Sequence, residues 1–528
     1  MFSIWHSFAV ALVTFIPAVF AAFGVTTSGS NMVVDSGAGL VTTINTANGD
    51  ITSLLFNGKQ LQDSSKFTQL SSGLGSASVS SSVANSIAIV TIRTSTITHY
   101  YIVKSGVNTL YIGTYASAEP EVGELRFIAR LSKSAVPNGI TINGEQVSEV
   151  NGATAIEGSD VFLLNGQTRS KFYSSVRFIG DQVHGVTGSG VGVYMIIPGE
   201  GYESSSGGPF FRDINNQGTA QQELYFYMNS NHEQTEAYRT GFFGPYAMAV
   251  TTGSAPSASL DTSFMDNLGL QGYVPASSRG TVTGSYSGTL SGQPVTIGFS
   301  NSATQYWIAG SGGSFTRNMM KPGTYGVTLF QGEIAAGSGT VTVSAGKTSS
   351  VTLTTTLSKP SVIWSIGTVD GTPAGFLNAD KIQIMHPSDT RMSSWGPVTF
   401  TAGSSSASSF PMAQFKEINN PTTIKWSASS SQIGARTLRI RTTSAFAGGR
   451  PQITVNSWTS SAPPAPPEVD SRGVTRGTWR GLNQVYDFAI PSGTLVAGSN
   501  TIAINVISGS SGDTFLSPNF VYDSVELF

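Results

Sequence analysis

Hydrophobic and polar residues alternate along most of this chain. The stretches GLVTTINTANGDITSLLFNGK (residues 39–59) and IAIVTIRTSTITHYYIVK (residues 87–104) place Val, Ile, Leu, Tyr and Phe largely at alternate positions. Because successive side chains of a strand point to opposite faces, such runs predict strands with one buried and one polar face. Asn57-Gly58 is a hairpin signal. We find no long run of 3.6-residue periodicity, so the pattern predicts an all-β protein.

Changes in composition divide the chain into regions. Continuous alternation over residues 22–253 predicts a large antiparallel β-sandwich. A Ser/Ala/Pro stretch at 253–259 ends this region. Residues 260–357 contain KPGTYGVTLFQ, a Pro-Gly turn before an alternating strand, which resembles fibronectin type III or carboxypeptidase-regulatory modules. Residues 358–528 hold five tryptophans and closing strands that resemble jelly-roll carbohydrate-binding modules.

The first 21 residues have the pattern of a secretory leader. Residues 8–20 are apolar and are followed by small residues at Ala21 and Ala22, although no Lys or Arg precedes them. The apolar stretch is too short for a spanning helix, and no later run reaches ~18 apolar residues. We therefore predict a signal peptide over residues 1–21, cleavage after Ala21 and a secreted, extracellular protein.

The charge balance and the cysteine count exclude several classes of function. The 528 residues carry a net charge of −2, and only 11% of them are charged, so neither nucleic acid nor a membrane surface is an expected partner. Cysteine is absent, which excludes disulfides, thiolate metal sites and a thiol nucleophile. We find no phosphate loop and no nucleophile elbow.

One segment concentrates the candidate chemistry. SGGPFFRDINNQGTAQQELYFYMNSNHEQTE, residues 206–236, combines a Gly-Gly-Pro turn, an Arg-Asp pair and an alternating aromatic strand with one of only five histidines, His232. Tyr225 and Tyr227 share one face of that strand and apolar residues occupy the other, which suits a sugar-binding groove over a core. The alternative for His232 is a structural histidine that caps a loop.

Two further segments supply cations. Lys171 lies in GQTRSKFYSS, residues 166–175. A solvated lysine has a pKa of about 10.4 and is a poor base at neutral pH, unless burial and a neighbouring cation lower that pKa. Arg169 is predicted on the same strand face as Lys171; an ordinary solvated lysine is the alternative. In GELRFIARLS, Arg126 and Arg130 share a face with Glu124, which predicts contact with solvent or substrate. An exposed ion pair is the alternative there.

These segments resemble the catalytic domain of rhamnogalacturonan lyases of polysaccharide lyase family 4, and the resemblance covers nearly the whole chain. It implies a galactose-mutarotase-like catalytic sandwich, then a fibronectin type III-like domain and a jelly-roll carbohydrate-binding-like domain. It also implies β-elimination at the α-1,4 bond between rhamnose and galacturonic acid in rhamnogalacturonan I. The product would carry a 4,5-unsaturated galacturonate at its new non-reducing end.

The same resemblance implies roles for single residues. Lys171 matches the proton-abstracting base and His232 the acid that protonates the leaving oxygen. Glu236 matches an acidic residue that orients His232 or binds a sugar hydroxyl, with Glu233 as a nearby alternative. An arginine would neutralise the galacturonate carboxylate, and we favour Arg126 over Arg130. The predicted substrate-binding residues are Arg126, Arg130, Arg169, Arg212, Tyr225, Tyr227 and Glu236.

The resemblance also bears on cofactors and partners. We expect no cofactor and no metal in catalysis, because lysine, arginine and histidine supply the required charges and protons. Asp523 resembles a position that holds structural calcium in related modules. The expected partner is rhamnogalacturonan I, bound by a monomer. The alternatives are a glycoside hydrolase that uses Asp213, Glu233 or Glu236, and a non-catalytic polysaccharide-binding protein.

Overall fold

A computed structural model describes residues 22–121, 123–230, 232, 236–357, 360–467 and 472–528. Within these ranges, strands are joined by turns and short 3-10 helices, and no α-helix is present. This confirms the all-β prediction. None of the helices in the same ranges is long and apolar enough to span a membrane. The predicted signal peptide, residues 1–21, lies outside the described residues.

The first domain is a sandwich of a larger and a smaller antiparallel sheet. The larger sheet runs, in spatial order, Val183–Gly188, Val191–Ile196, Gly241–Thr251, Thr109–Ala116, Ile97–Lys104, Ile87–Arg93 and Ser78–Ala84. The smaller sheet runs Asn216–Gly218, Gln221–Ser230, Glu124–Ser132 and Gln69–Leu70. Phe127, Phe226 and Met248 belong to the apolar core between them. The smaller sheet therefore has one face in this core and a second face free to build a site.

Smaller sheets complete the first domain. An N-terminal sheet runs Gly24–Ser28, Asn31–Asp35, Leu40–Asn45, Ile51–Phe56 and Lys59–Gln60. The Asn57-Gly58 turn joins its last two strands, and both turn residues have positive φ, as the hairpin signal predicts. A two-stranded sheet pairs Thr141–Ile142 with Glu145–Gln146. A three-stranded sheet runs Thr154–Glu157, Val161–Leu164 and Gln167–Ser170, and a 3-10 helix, Lys171–Ser174, follows directly.

The second domain is a small sandwich that begins later than the sequence predicts. One sheet runs Ser314–Met320, Gly280–Ser287 and Thr348–Thr354, and the other Gln305–Ala309, Val295–Ser300, Gly323–Gln331 and Ile334–Val343. Short 3-10 helices, Ser263–Asn267 and Ala276–Ser278, precede it. Met265 and Leu270 are buried beside Tyr100 and Phe242 of the first domain. The predicted start at residue 260 is thus too early, because this connecting segment packs on the first domain.

The third domain is a sandwich of two further sheets. The first runs Trp364–Gly367, Asn519–Leu527, Arg436–Phe446 and Gln484–Ile490, with Ala413–Phe415 also paired to Asn519–Leu527. The second runs Thr399–Thr401, Thr422–Ala428, Gly498–Ile507, Arg450–Val455 and Trp458–Thr459. The 3-10 helices in this domain are Ala407–Ser409, Gly473–Arg476 and Thr514–Leu516.

Three tryptophans of the third domain are structural. Trp364, Trp426 and Trp479 are buried, and the rings of Trp364 and Trp426 meet edge to face at 6.4 Å. Because buried indole rings fill sandwich cores, these three residues stabilise the domain rather than present a sugar-stacking surface. Trp395 and Trp458 are half-buried and pack against the same core.

Residues outside the sandwich core of the first domain join the core of the third domain. Phe172, Tyr173, Tyr225 and Tyr227 belong to the same hydrophobic cluster as Trp364 and the rest of the third-domain core. Tyr173 also donates a hydrogen bond from its hydroxyl to the backbone carbonyl of Thr475 at 3.0 Å. The third domain therefore packs against the outer face of the smaller sheet, beside the segments with candidate chemistry.

Candidate active site

The outer face of the smaller sheet holds the predicted tyrosines and arginines in register. Arg126 lies opposite Tyr227, and Arg130 lies opposite Glu223. Tyr225 and Tyr227 belong to the cluster shared with the third domain, whereas Phe226 lies in the sandwich core. The predicted division of this strand into two faces is therefore confirmed.

Arg126 is fixed against the tyrosines. Its Nη1 donates to the hydroxyl of Tyr227 at 2.7 Å and to Glu124 Oε1 at 2.9 Å. The guanidinium carbon lies 5.5 Å from the ring centroid of Tyr227 and 5.9 Å from that of Tyr225. Burial raises the pKa of the Tyr227 hydroxyl, which keeps it a neutral hydrogen-bonding group. Arg126 thus places a positive charge against the two tyrosine rings.

His232 has a buried carboxylate as its partner. Its Nδ1 lies 3.1 Å and 3.2 Å from the two carboxylate oxygens of Asp213 and 2.8 Å from the hydroxyl of Ser230. Asp213 is 3% exposed, and its Oδ1 also accepts the backbone N–H of Ile214. Although burial opposes ionisation, His232 and these hydrogen bonds hold the pKa of Asp213 below its usual range. Asp213 therefore orients the ring and leaves Nε2 for the cleft.

Lys171 begins a 3-10 helix rather than continuing a strand. The hydroxyl of Ser170 accepts the backbone N–H of Phe172, and this cap ends the strand Gln167–Ser170. Strand alternation therefore ends at Ser170, so Arg169 and Lys171 do not share a strand face. Lys171 Nζ instead lies 3.5 Å from Asp160 Oδ1, and its side chain is 23% exposed.

The third domain supplies the cations near Lys171. Arg476 Nη2 donates to Asp160 Oδ2 at 2.9 Å, and Arg472 also binds Asp160. Burial opposes ionisation of Asp160, but Arg476, Lys171 and Arg472 together hold its pKa below the usual range. Sequence reasoning missed these two arginines, since they lie in the 3-10 helix Gly473–Arg476 and just before it, about 300 residues from Lys171.

Phe172 joins the two candidate catalytic residues. The ring of His232 meets it edge to face at 5.0 Å, and Lys171 Nζ lies 5.5 Å from its centroid. The guanidinium of Arg476 lies 5.0 Å from the same centroid. Lys171, His232 and Arg476 therefore surround one aromatic ring, and an amine, an imidazole and a guanidinium are groups that can transfer protons and bind a carboxylate.

Three family models match consecutive parts of this chain. Models described as rhamnogalacturonan lyase B, N-terminal, and as polysaccharide lyase family 4, domains II and III, match residues 23–272, 278–351 and 362–527. The chain belongs to polysaccharide lyase family 4. It is therefore a polysaccharide lyase, and its layout matches the three domains of that family.

Curated relatives match this lyase along nearly its whole length. A probable rhamnogalacturonate lyase A of Aspergillus fumigatus is 54% identical over 98% of this chain and 99% of its own. Rhamnogalacturonate lyase A of Aspergillus aculeatus is 54% identical over 96% of both chains. A putative rhamnogalacturonase of Neurospora crassa is 48% identical over 100% of this chain and 99% of its own.

The contacts of Arg169 and Arg130 are with residues outside the Phe172 cluster, which consists of Lys171, Phe172, His232 and Arg476. Arg169 is buried and donates to the carbonyl of Thr168 at 2.9 Å and to the side chain of Gln167. The prediction that Arg169 and Lys171 share a strand face is wrong, because the strand ends at Ser170. Arg130 lies 3.5 Å from Glu223, which also accepts the hydroxyl of Tyr225 at 2.7 Å. A direct role in substrate binding stays a prediction for both arginines.

Glu236 and Arg212 have other contacts than those predicted. Glu236 lies 2.9 Å from Arg239 and accepts the backbone N–H of Gly207, so orientation of His232 falls to Asp213. Its role in binding a sugar hydroxyl stays a prediction. Arg212 donates to carbonyl oxygens of both Phe172 and the third domain, at 3.3 Å each. Glu233, the nearby alternative, lies outside the described residues.

The predicted tyrosines are wall residues with little exposed surface. Tyr225 is 5% exposed and Tyr227 is 4% exposed. Their rings stack at 5.8 Å, and the ring of Tyr227 lies 6.0 Å from that of His232. The two tyrosines therefore contact Arg126 and His232 and leave little ring surface for a sugar to stack on.

The donor set around Asp523 does not fit calcium. Its Oδ1 accepts backbone N–H groups of Asp370 at 3.0 Å and Gly371 at 2.7 Å, so hydrogen-bond donors rather than oxygen ligands surround it. Among the described residues, no group of three or more His, Cys, Asp or Glu side chains could hold a metal. His386, which the sequence leaves isolated, lies 2.7 Å from Glu157.

Proposed function

We propose that this lyase is a rhamnogalacturonan endolyase. It cleaves the α-1,4 bond between rhamnose and galacturonic acid in the rhamnogalacturonan I backbone of pectin. The cleavage is a β-elimination that leaves a 4,5-unsaturated galacturonate at the new non-reducing end. The observation that carries this proposal is the Phe172 cluster, where Lys171 and the Asp213-held His232 flank one ring.

The reaction begins with neutralisation of the substrate carboxylate by nearby cations. The C5 proton of a galacturonate is weakly acidic, and its removal develops negative charge on the carboxylate. Arg126 lies on the tyrosine side of His232, and Arg476 lies on the Lys171 side. A carboxylate bound to either guanidinium becomes a better electron sink, since a bidentate charged hydrogen bond strengthens as charge develops.

Lys171 then takes the C5 proton. Its Nζ lies 3.5 Å from Asp160, which also binds Arg472 and Arg476. A galacturonate carboxylate bound among these cations competes with Asp160 for them, which frees Lys171 to accept the proton.

His232 completes the elimination. With Nδ1 hydrogen-bonded to Asp213, Nε2 of the imidazolium donates its proton to the departing rhamnose oxygen. The ring becomes neutral while its Nδ1–H still donates to Asp213. His232 then regains a proton from water and Lys171 gives the C5 proton up to water, so both groups return to their starting states. The C4–O4 bond breaks as the C4=C5 bond forms.

The pairing of the carboxylates supports elimination rather than hydrolysis. A glycoside hydrolase needs two carboxyl groups about 5–10 Å apart, one of them able to carry a proton. Asp213 is buried and bound to His232, and Glu236 is paired with Arg239. Neither is placed as a free acid or nucleophile.

The wider setting of the enzyme is part of the same proposal. The apolar leader and the named fungal relatives support a secreted protein that acts outside the cell on plant polysaccharide. We expect it to act as a monomer and without a metal, because the cations of the cluster belong to a single chain.

The test is ultraviolet absorbance during incubation with purified rhamnogalacturonan I in the presence of a chelator, with homogalacturonan as the control substrate. Rising absorbance with rhamnogalacturonan I alone supports the proposal, since each elimination creates one conjugated double bond. New reducing ends without absorbance would mean hydrolysis. Binding with neither signal would leave a polysaccharide-binding protein.

A further inference from the structure

The hairpin of residues 154–164 presents two carboxylates to the third domain. The register of its two strands shifts just before Glu157, and such irregularities re-aim a side chain. The turn that follows begins at Gly158, which has a φ of 55°, and ends at Asp160. Glu157 and Asp160 therefore lie at the two ends of one tight turn.

One guanidinium spans this turn. Arg472 Nη1 lies 2.9 Å from Glu157 Oε1, and its Nη2 binds Asp160 Oδ2. A Cβ placed on Gly158 would lie 3.7 Å from Arg472 Nη1, so the guanidinium lies directly against the turn. Asp160 also contacts the ammonium group of Lys171 at 3.5 Å. Arg472 is thus held by two carboxylates, and one of these is shared with the proposed base.

Glu157 is fixed by donors of the third domain. His386 Nε2 lies 2.7 Å from Glu157 Oε2, and the hydroxyl of Thr475 donates to Oε1 at 2.9 Å. The backbone N–H of Ser388 donates to His386 Nδ1, so the ring carries its proton on Nε2 and donates it to Glu157. Burial opposes ionisation, but the hydrogen bonds of His386 and Thr475 and the charge of Arg472 hold the pKa of Glu157 below its usual range. Glu157 is therefore a fixed anion.

The two carboxylates respond differently to a bound substrate. A galacturonate carboxylate competes with Asp160 for the cations that surround it. His386 and Thr475 are buried, so the substrate cannot reach the donors that hold Glu157. The side chain of Arg472 is 21% exposed, so the substrate can reach the guanidinium itself. Glu157 therefore keeps its contact with Nη1 when the substrate replaces Asp160 at Nη2.

We propose that Glu157 is a positioning residue of this active site. It holds Arg472 through Nη1, so that Nη2 stays directed at the substrate carboxylate after Asp160 gives up its contact. The inference rests on the proposed function, which places that carboxylate among the cations around Lys171. The third domain is then part of the catalytic cleft, because it supplies both Arg472 and the donors that fix Glu157.

The test is a double-mutant cycle in kcat/KM, measured by ultraviolet absorbance on rhamnogalacturonan I with the full-length protein. Arg472→Ala should lower kcat/KM about ten- to hundredfold, the loss of a charged hydrogen bond to the substrate. Glu157→Gln should lower it roughly three- to tenfold, because Arg472 remains but loses its fixed position. In the Arg472→Ala background, Glu157→Gln should change kcat/KM by about twofold at most, because no guanidinium is left to position.

Folding is measured separately. Thermal unfolding gives the folded fraction of each variant, and Glu417→Gln, at an exposed carboxylate of the third domain, is the control that should leave kcat/KM unchanged. Glu157→Asp keeps the charge and takes the place of Glu157→Gln in the cycle if that variant does not fold. It should likewise have no further effect once Arg472 is removed.

Two results would overturn the inference while the wild type is active. One is an equal loss from the Glu157 substitution in both backgrounds, which would mean that Glu157 does not act through Arg472. The other is no loss in the wild-type background. A wild type that gives no absorbance with rhamnogalacturonan I would instead overturn the proposed function, and this inference with it.

Discussion

Two histidine–aspartate pairs lie on the first sandwich and differ in what surrounds the imidazole. His184 Nδ1 lies 2.8 Å from Asp181, and its Nε2 lies 2.7 Å from the backbone carbonyl of Tyr225. Asp181 also accepts the hydroxyl of Tyr202 at 2.8 Å. His232 has the same kind of partner, Asp213, on Nδ1, but no described residue binds its Nε2. Both nitrogens of the His184 ring have hydrogen-bond partners, whereas Nε2 of His232 has none among the described residues.

The difference separates a structural histidine from the proposed general acid. Asp181, His184 and Asp213 line one small cavity together with Tyr225 and Tyr227, so both pairs lie close to the strand that carries these tyrosines. His184 ties that strand to the core, and His232 meets the cleft with a side chain that is 17% exposed. A proton can be delivered to substrate only from a nitrogen that no protein acceptor occupies.

The largest expected effect separates the two rings by kinetics. His232→Ala should lower kcat about 10²- to 10⁴-fold, the usual contribution of a general acid, with an unchanged melting temperature. His184→Ala is the matched variant and should lower the melting temperature while the folded fraction keeps most of its kcat. Steady-state absorbance assays and thermal unfolding measure both. Similar kinetic losses in the two variants would remove the distinction.

Asp213→Asn sharpens the role of the carboxylate. We expect kcat to fall roughly ten- to hundredfold, part of the gain from general acid catalysis, because the imidazolium loses its charge partner and its fixed orientation. The pH profile of kcat should also shift, which a purely structural role would not cause. Glu236→Gln, at the acidic residue paired with Arg239, is the control and should leave that profile in place.

Asp181→Asn tests the structural pair. Two hydrogen bonds to a buried carboxylate are weakened, from His184 and from Tyr202, so the free energy of unfolding should fall by about 1–3 kcal/mol. Urea unfolding measures the change. A fully stable variant would mean that this pair contributes nothing to the strand that carries Tyr225.

The smallest expected effect is a pH dependence of stability. Burial alone would lower the pKa of His184, but the charge and hydrogen bond of Asp181 outweigh it and raise the pKa above 6.5. A raised folded-state pKa stabilises the protein fully below the unfolded value, and this contribution is lost as pH rises through the folded value. The free energy of unfolding should therefore fall above pH 6.5 in the wild type, and less steeply in His184→Gln.

Patterns in the sequence predicted the features of the structure that depend only on residues close together along the chain. Strand alternation alone separates the Tyr225 face from the Phe226 face, because a two-residue period needs no tertiary information. The Asn57-Gly58 hairpin and the glycines of the turn before Arg212 follow from the need for positive φ. The family resemblance supplied the roles of Lys171 and His232, which residue types alone left open.

Long-range contacts were beyond such patterns. Arg472 and Arg476 reach Lys171 only because the third domain packs on the first, and no local period indicates that approach. Asp213 replaces Glu236 beside His232 because the turn after Gly208 brings Asp213 under the strand end, which spacing along the chain does not show. The break at Ser170 depends on one hydroxyl that caps a 3-10 turn, a signal visible in the sequence but weak beside strand alternation.

The most direct test of the catalytic account is the Lys171→Ala variant on purified rhamnogalacturonan I, followed by ultraviolet absorbance and by a separate binding assay. Lys66→Ala, at a lysine whose side chain is 55% exposed, is the control for loss of a positive charge. We predict no measurable rise in absorbance for Lys171→Ala while the polysaccharide still binds, and full turnover for Lys66→Ala. Full turnover in Lys171→Ala would contradict the account, because the account assigns removal of the C5 proton to this lysine.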